Sequence, residues 1–170
     1  MTTEAFDALL GLLAQEEAIY TEMADLLERE QKALGAMAAG ALGELAARKE
    51  TLALRVKALD ESRRVLARRL GASLGLEQDQ VTISRLATGV GGDTGRRLTA
   101  AGVSLRGVVE RCRRLNEANG LAARRGLDLI AGAARWLVEQ SDPAGPIWRP
   151  GKAGAYGAPA RGRSLITRKA

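Results

Sequence analysis

FDALLGLLAQEEAIYTEMADLLEREQKALGAM, residues 6–37, decides the fold. Stepping by three and four from Phe6 meets Leu9, Leu13, Glu16, Tyr20, Met23, Leu27, Glu30, Leu34 and Met37. Eight of these ten are apolar, and the period is that of a coiled-coil seam. Residues 42–70 repeat it with Leu42, Leu45, Lys49, Leu52, Val56, Leu59, Arg63, Leu66 and Leu70. The step from Met37 to Leu42 breaks the phase, and Ala38-Ala39-Gly40-Ala41 lies in the break. Gly40 can adopt left-handed backbone angles and close a helix. The spacing therefore predicts a helical hairpin that turns near Ala39–Gly40.

The charged exceptions in the two seams predict its register. Centring the turn between residues 39 and 40 sets Leu9 opposite Leu70, Leu13 opposite Leu66 and Tyr20 opposite Leu59. It also sets Met23 opposite Val56, Leu27 opposite Leu52 and Leu34 opposite Leu45. Glu16 then faces Arg63 and Glu30 faces Lys49. A seven-residue slip keeps the apolar matches but separates both charge pairs. An unpaired charge in a seam is costly, so the pairs select register more than they add stability.

Outward from the hairpin, residues 71–95 carry Gly71, Gly75 and the run Gly89-Val90-Gly91-Gly92-Asp93-Thr94-Gly95, which reads as a flexible connector. Asp79 is placed to cap a short helix through about Ala87, with Val81, Ile83 and Leu86 partly buried. The glycine run lacks the Lys-Ser/Thr ending of a phosphate loop, and no buried strand precedes it. A third helix is expected over about 96–140. Its stripe runs Leu98, Ala101, Leu105, Val108, Cys112, Leu115, Asn119, Ala122, Gly126, Leu129, Ala133 and Trp136. From Leu98 to Leu115 the large residues suit core packing. Beyond, small residues dominate, and Leu127 to Leu137 reads as a partner-binding face.

Composition agrees with an all-α fold: a long antiparallel hairpin, a third long helix and a disordered C-terminal tail. The four prolines, each costing about 3 kcal/mol inside a helix, all lie beyond residue 142. The expected organisation is a helical body over 1–140 (hairpin about 4–70, connector 71–95, third helix about 96–140) and a basic tail over 141–170. The chain has no histidine and one cysteine, Cys112, which argues against a metal site, a catalytic triad and a disulfide. No enzyme, cofactor or small-molecule substrate is expected. An acidic start and the lack of an 18-residue apolar run predict a cytoplasmic protein with no stable membrane insertion. The net charge is +6, of which the tail carries +5 and residues 1–140 only +1. The high pI is therefore poor evidence for nucleic acid.

Several stretches together resemble the FlgN-type flagellar type III export chaperones. They are Leu9-Leu10-Gly11-Leu12-Leu13-Ala14-Gln15-Glu16-Glu17 and Leu26-Leu27-Glu28-Arg29-Glu30-Gln31-Lys32-Ala33-Leu34 in the first arm, and Ala47-Arg48-Lys49-Glu50-Thr51-Leu52 and Leu59-Asp60-Glu61-Ser62-Arg63-Arg64-Val65-Leu66 in the second. Leu115-Asn116-Glu117-Ala118-Asn119-Gly120 is similar to the family's Asn-x-x-Asn-Gly signature. Ala155-Tyr156-Gly157 is similar to its tail element, although Ala158-Pro159 follows where the family has Pro-Asp-Gly.

The resemblance implies a chaperone of the flagellar hook-associated junction proteins, binding a helical terminal segment and delivering it to the export gate, with the export ATPase a further candidate partner. Client contact is then expected on Leu105, Val109, Cys112, Leu115, Asn116, Asn119, Leu127, Ile130, Trp136 and Leu137. For Asn116 and Asn119, capping or bridging to the hairpin is an equal reading. Tyr156 becomes the residue that docks the export gate. The competing readings are a nucleic-acid-associated coiled coil, on its Arg-Arg pairs, and a purely structural coiled-coil scaffold.

The paired seam charges make a first prediction. Glu30→Lys destabilises the fold, and adding Lys49→Glu restores part of the loss. Urea unfolding of the double-mutant cycle measures the coupling, and additive effects of the two substitutions would contradict the pairing.

Overall fold

A computed structural model describes residues 3–141. Helix α1 spans Thr3–Gly35 and α2 spans Ala39–Ser73. A 3-10 turn, Gln78–Gln80, leads to the short α3, Ile83–Val90, and then to α4, Gly92–Ser141. The described residues contain no strand. The chain divides into two units, Met1–Gly132 and Ala133–Ala170, and of the second only the last turns of α4 are described. The tail expected beyond residue 141 lies outside the described residues.

Both expected charge pairs form. The Arg63 Nε donates to both Glu16 carboxylate oxygens at 2.9 and 3.0 Å, and Arg63 also pairs with Asp60. The Lys49 Nζ lies 2.5 Å from the Glu30 Oε1. Glu16 is only 2% exposed, so its carboxylate is stable there because a guanidinium holds both oxygens.

The turn sits earlier than expected, at Ala36–Ala38, and Gly40 lies inside α2. Met37 takes the left-handed angles, with φ +51°. The Ala38 N–H donates to the Ala33 carbonyl and the Met37 N–H to the Leu34 carbonyl, the paired bonds of a Schellman closure. Ala33 and Ala38 supply its apolar contact within the α1–α2 core. That contact and the charge register outweigh the backbone cost of a non-glycine residue at Met37. Likewise α2 does not stop at Gly71. Gly75 (φ +73°) closes it, with Leu76 N–H donating to the Gly71 carbonyl and Gly75 N–H to that of Ala72.

Helix α1 has two core faces, one more than a single seam implies. Ile19, Leu26 and Ala33 cluster with Leu45 and Leu52 of α2. Ala24 and Leu27 cluster with Cys112 of α4, flanked by Tyr20 and Leu115. The expected opposition of Tyr20 to Leu59 and of Leu27 to Leu52 is thus corrected by one residue. Ile19 and Leu26 meet α2, and their neighbours turn to α4.

The connector is not a loose loop. Leu86 and Ala87 of α3 complete a core with Phe6, Leu9, Leu13, Leu70 and Leu98. Thr82, not Asp79, caps α3, its Oγ1 accepting from the Arg85 N–H at 3.1 Å. Gly91 and Gly92 both take positive φ, +64° and +58°, and reverse the chain directly into α4. A Cβ on Gly95 would overlap the Ala87 carbonyl oxygen, so glycine there lets α4 start against α3.

Two substitutions test these junctions. Met37→Gly raises stability by about 1 kcal/mol by relieving the left-handed backbone. Gly95→Ala lowers it by about 2 kcal/mol through overpacking. Urea denaturation reads both, and a neutral Gly95→Ala would show that the α3–α4 corner is not tightly packed.

Candidate functional site

Within the first unit, α4 runs parallel to α1 and is pinned to it by polar contacts. Arg97 pairs with Asp7 at 3.1 Å and Arg111 with Glu28 at 2.6 Å, and Ser104 donates to Glu17 at 2.6 Å. The Cys112 thiol donates to the Tyr20 carbonyl at 3.1 Å. Burial pushes the Cys112 thiol up, so it stays protonated and serves as a donor rather than a nucleophile. The Tyr20 phenol is also raised, first by burial and then by the Glu16 carboxylate.

The deepest pin is Asn119, 3% exposed. Its Nδ2 donates to the Leu27 carbonyl at 2.8 Å and to the Glu30 Oε2 at 2.9 Å. Glu30 therefore receives α2 through Lys49 on one oxygen and α4 through Asn119 on the other. The Asn119 Oδ1 is buried and meets no donor among the described residues. Of the two readings of this asparagine, the structure shows bridging to the hairpin. Its companion Asn116 is exposed at the edge of α4.

Because α2 and α4 each pack on their own face of α1, a trough opens between them. Its floor is Tyr20, Met23 and Leu27 of α1 at one end; at the other, beside the buried Leu13, Thr82, Ile83 and Ser84 at the start of α3 line it. Lys49, Ala53 and Arg63 of α2 form one wall, and Leu105, Val109, Cys112 and Asn116 of α4 the other. Two hollows, of about 280 and 440 Å³, meet at Val109. The residues expected to contact a client thus separate into groups. Leu105, Val109, Cys112 and Asn116 line the trough, whereas Leu115 and Asn119 pack onto α1.

Asn119 lies 92 residues after its α1 partner Leu27. That register brings Gly35, the end of α1, level with Leu127. From there the apolar side chains of α4 are open: Leu127 is 66% exposed, Leu129 66% and Ile130 59%, and Leu121 just before them is half exposed. In the second unit, Trp136, Leu137 and Val138 are also exposed. Leu121, Leu129 and Val138 were not among the expected contact residues. Tyr156 lies outside the described residues.

A protein-family model described as FlgN protein matches residues 1–146. The chain belongs to the FlgN family. FlgN proteins are chaperones of flagellum biogenesis and protein export, so this chain is a flagellar export chaperone. No curated protein and no solved structure matches it. The FlgN-like Asn-x-x-Asn-Gly element thus divides its work, Asn116 at the trough rim and Asn119 holding α4 to α1. No helix among the described residues is long and apolar enough to cross a membrane.

The Glu30–Asn119 contact predicts a pH-dependent defect. Asn119→Asp places a second carboxylate beside Glu30, and the folded state then holds a carboxylate pKa above its unfolded value of about 4. The penalty, about 3 kcal/mol at pH 7, shrinks as pH falls through that raised pKa, where the folded state binds the extra proton. Urea unfolding at pH 7 and pH 4.5 measures it. An equal loss at both values would assign Asn119 a packing role only.

Proposed function

We propose that this FlgN-family protein is a cytoplasmic chaperone that binds the helical terminal segment of hook–filament junction proteins. It keeps that segment soluble and delivers it to the flagellar export gate. The observation that carries this reading is the exposure of the large apolar side chains of α4 near the level where α1 ends, Leu127, Leu129 and Ile130; in the second unit Trp136 and Leu137 are exposed as well. Leu127 and Ile130, at i and i+3, share one face of α4 and are both more than half exposed, which offers an amphipathic helix adjacent apolar contacts. The export gate docks, in this reading, through Tyr156 of the tail.

Three of the five Arg-Arg pairs favour this reading over nucleic acid, whereas Arg68-Arg69 and Arg124-Arg125 hold no carboxylate among the described residues. Arg63, Arg64, Arg96, Arg97, Arg113 and Arg114 all engage carboxylates of the same chain. Phosphate contact would have to displace those partners.

Co-purification and titration with the C-terminal helical segment of a hook-associated protein test the proposal. The double substitution Leu127→Ser, Ile130→Ser weakens binding about tenfold or more while leaving the melting temperature unchanged, because both residues are exposed. Tyr156→Ala leaves client affinity intact and lowers affinity for the cytoplasmic domain of the export gate. Unchanged client binding by the double variant would reject the α4 surface.

A further inference from the structure

We infer that the turn joining α1 and α2 is the second half of the client site. The client helix bridges from Met37 to Leu127 and Ile130 of α4, and it carries acidic residues beside its apolar stripe. The inference deepens the reading of α4 as the client surface and rests on it.

Three observations carry it. The first is position. The register that sets Tyr20 against Cys112 and Leu27 against Asn119 brings the end of α1 level with Leu127. The turn, Ala36–Ala38, follows directly, at the level of Leu129 and Ile130. Cys112, Asn119, Ala123, Gly126 and Ile130 succeed one another at steps of seven, four, three and four, which is one line along a helix. The first two are buried on α1, the next two are half-buried, and Ile130 is 59% exposed. The line that packs on α1 thus outruns it and arrives at the turn.

The second observation is Met37. Among the described residues it is the one non-glycine residue at positive φ, and it is 59% exposed. Left-handed angles cost a residue with a side chain about 1 kcal/mol. The alanine contact of the closure explains where the turn falls, but an exposed methionine returns nothing to the fold for that cost. A strained position with no structural return points to a role in contact with a partner, and methionine adapts to varied apolar surfaces. Its surroundings suit such contact, because no charged residue occurs from Ala33 to Gly43 although 27% of the chain is charged.

The third observation is charge. Within about three helical turns of that end, Arg29 and Lys32 of α1, Arg48 of α2 and Arg124 and Arg125 of α4 are exposed, and none holds a carboxylate among the described residues. The same stretches carry two open carboxylates, Glu44 and Asp128. Further along the first unit, Arg55, Arg63, Arg97 and Arg111 each meet a carboxylate of a neighbouring helix. The uncharged turn is therefore surrounded by an excess of cations that the fold leaves open. A client helix with glutamates or aspartates beside its apolar stripe supplies their partners, whereas one with lysines there would be repelled.

The test titrates the full chain against the labelled C-terminal helical segment of a hook-associated protein. Asparagine adopts left-handed angles readily, so Met37→Asn keeps the turn and removes its apolar side chain. It should weaken binding about fivefold or more without lowering the melting temperature. Arg124→Glu with Arg125→Glu, both at exposed positions, should weaken binding about tenfold at low ionic strength and flatten its salt dependence. Normal binding by Met37→Asn, beside a loss in the Leu127→Ser, Ile130→Ser variant, would overturn the inference and leave the α4 surface standing. Normal binding by both of those variants would reject the two together. An unchanged affinity and salt dependence in the Arg124, Arg125 variant would overturn the acidic character assigned to the client helix.

Discussion

One carboxylate ties three helices together. Glu30 projects from α1 and accepts from Lys49 of α2 on one oxygen and from Asn119 of α4 on the other. A carboxylate with a side chain 15% exposed is costly unless its oxygens are used, so neither neighbour can slide without leaving a charge unpaired. Apolar packing alone would not hold this arrangement, because heptad cores match equally well one repeat away. The same logic acts on the Glu16 side of the hairpin, where Arg63 occupies both carboxylate oxygens.

The exposed surfaces of α4 follow from that fixed register. With α4 held parallel to α1 through Asn119, α1 ends level with Leu127. Leu127, Leu129 and Ile130 then stand more than half exposed, unlike Leu98 and Cys112, which are buried. The proposed client surface arises in this way because one helix is longer than the helix it packs on. The trough between α2 and α4 has a related origin. Two helices packed on separate faces of a third leave a valley, floored by Tyr20, Met23 and Leu27 at one end and lined by the start of α3 at the other.

Some of this was legible in the sequence and some was not. The hairpin and its charge pairs could be read because acidic exceptions in one seam matched basic exceptions in the other, a pattern that few registers satisfy. The turn could not, because Met37 accepts left-handed angles that composition assigns to Gly40, and an alanine contact decides the position. The two-sidedness of α1 was half visible. Ile19, Leu26 and Ala33 stand one residue before the seam positions, but the alanine-rich arm gave no reason to separate two faces. The glycine run read as slack, whereas Gly91, Gly92 and Gly95 serve close packing and a sharp reversal. The α4 stripe indicated core through Leu115, where Leu98 and Cys112 are buried, and the residues from Leu127 that it offered as a partner-binding face are exposed. Its partner helix and direction rest on single polar contacts such as Asn119 to Leu27, which carry no periodic signal.

The most direct measurement of this account is amide hydrogen exchange of the full chain with and without Glu30→Ala. If one carboxylate clamps both neighbours, the substitution accelerates exchange together in α2 around Lys49 and in α4 around Cys112 to Asn119. The core at Leu9, Leu86 and Leu98 should keep its protection. Faster exchange in the α2 segment alone, with α4 unchanged through Asn119, would contradict the claim that Glu30 holds α4 in place.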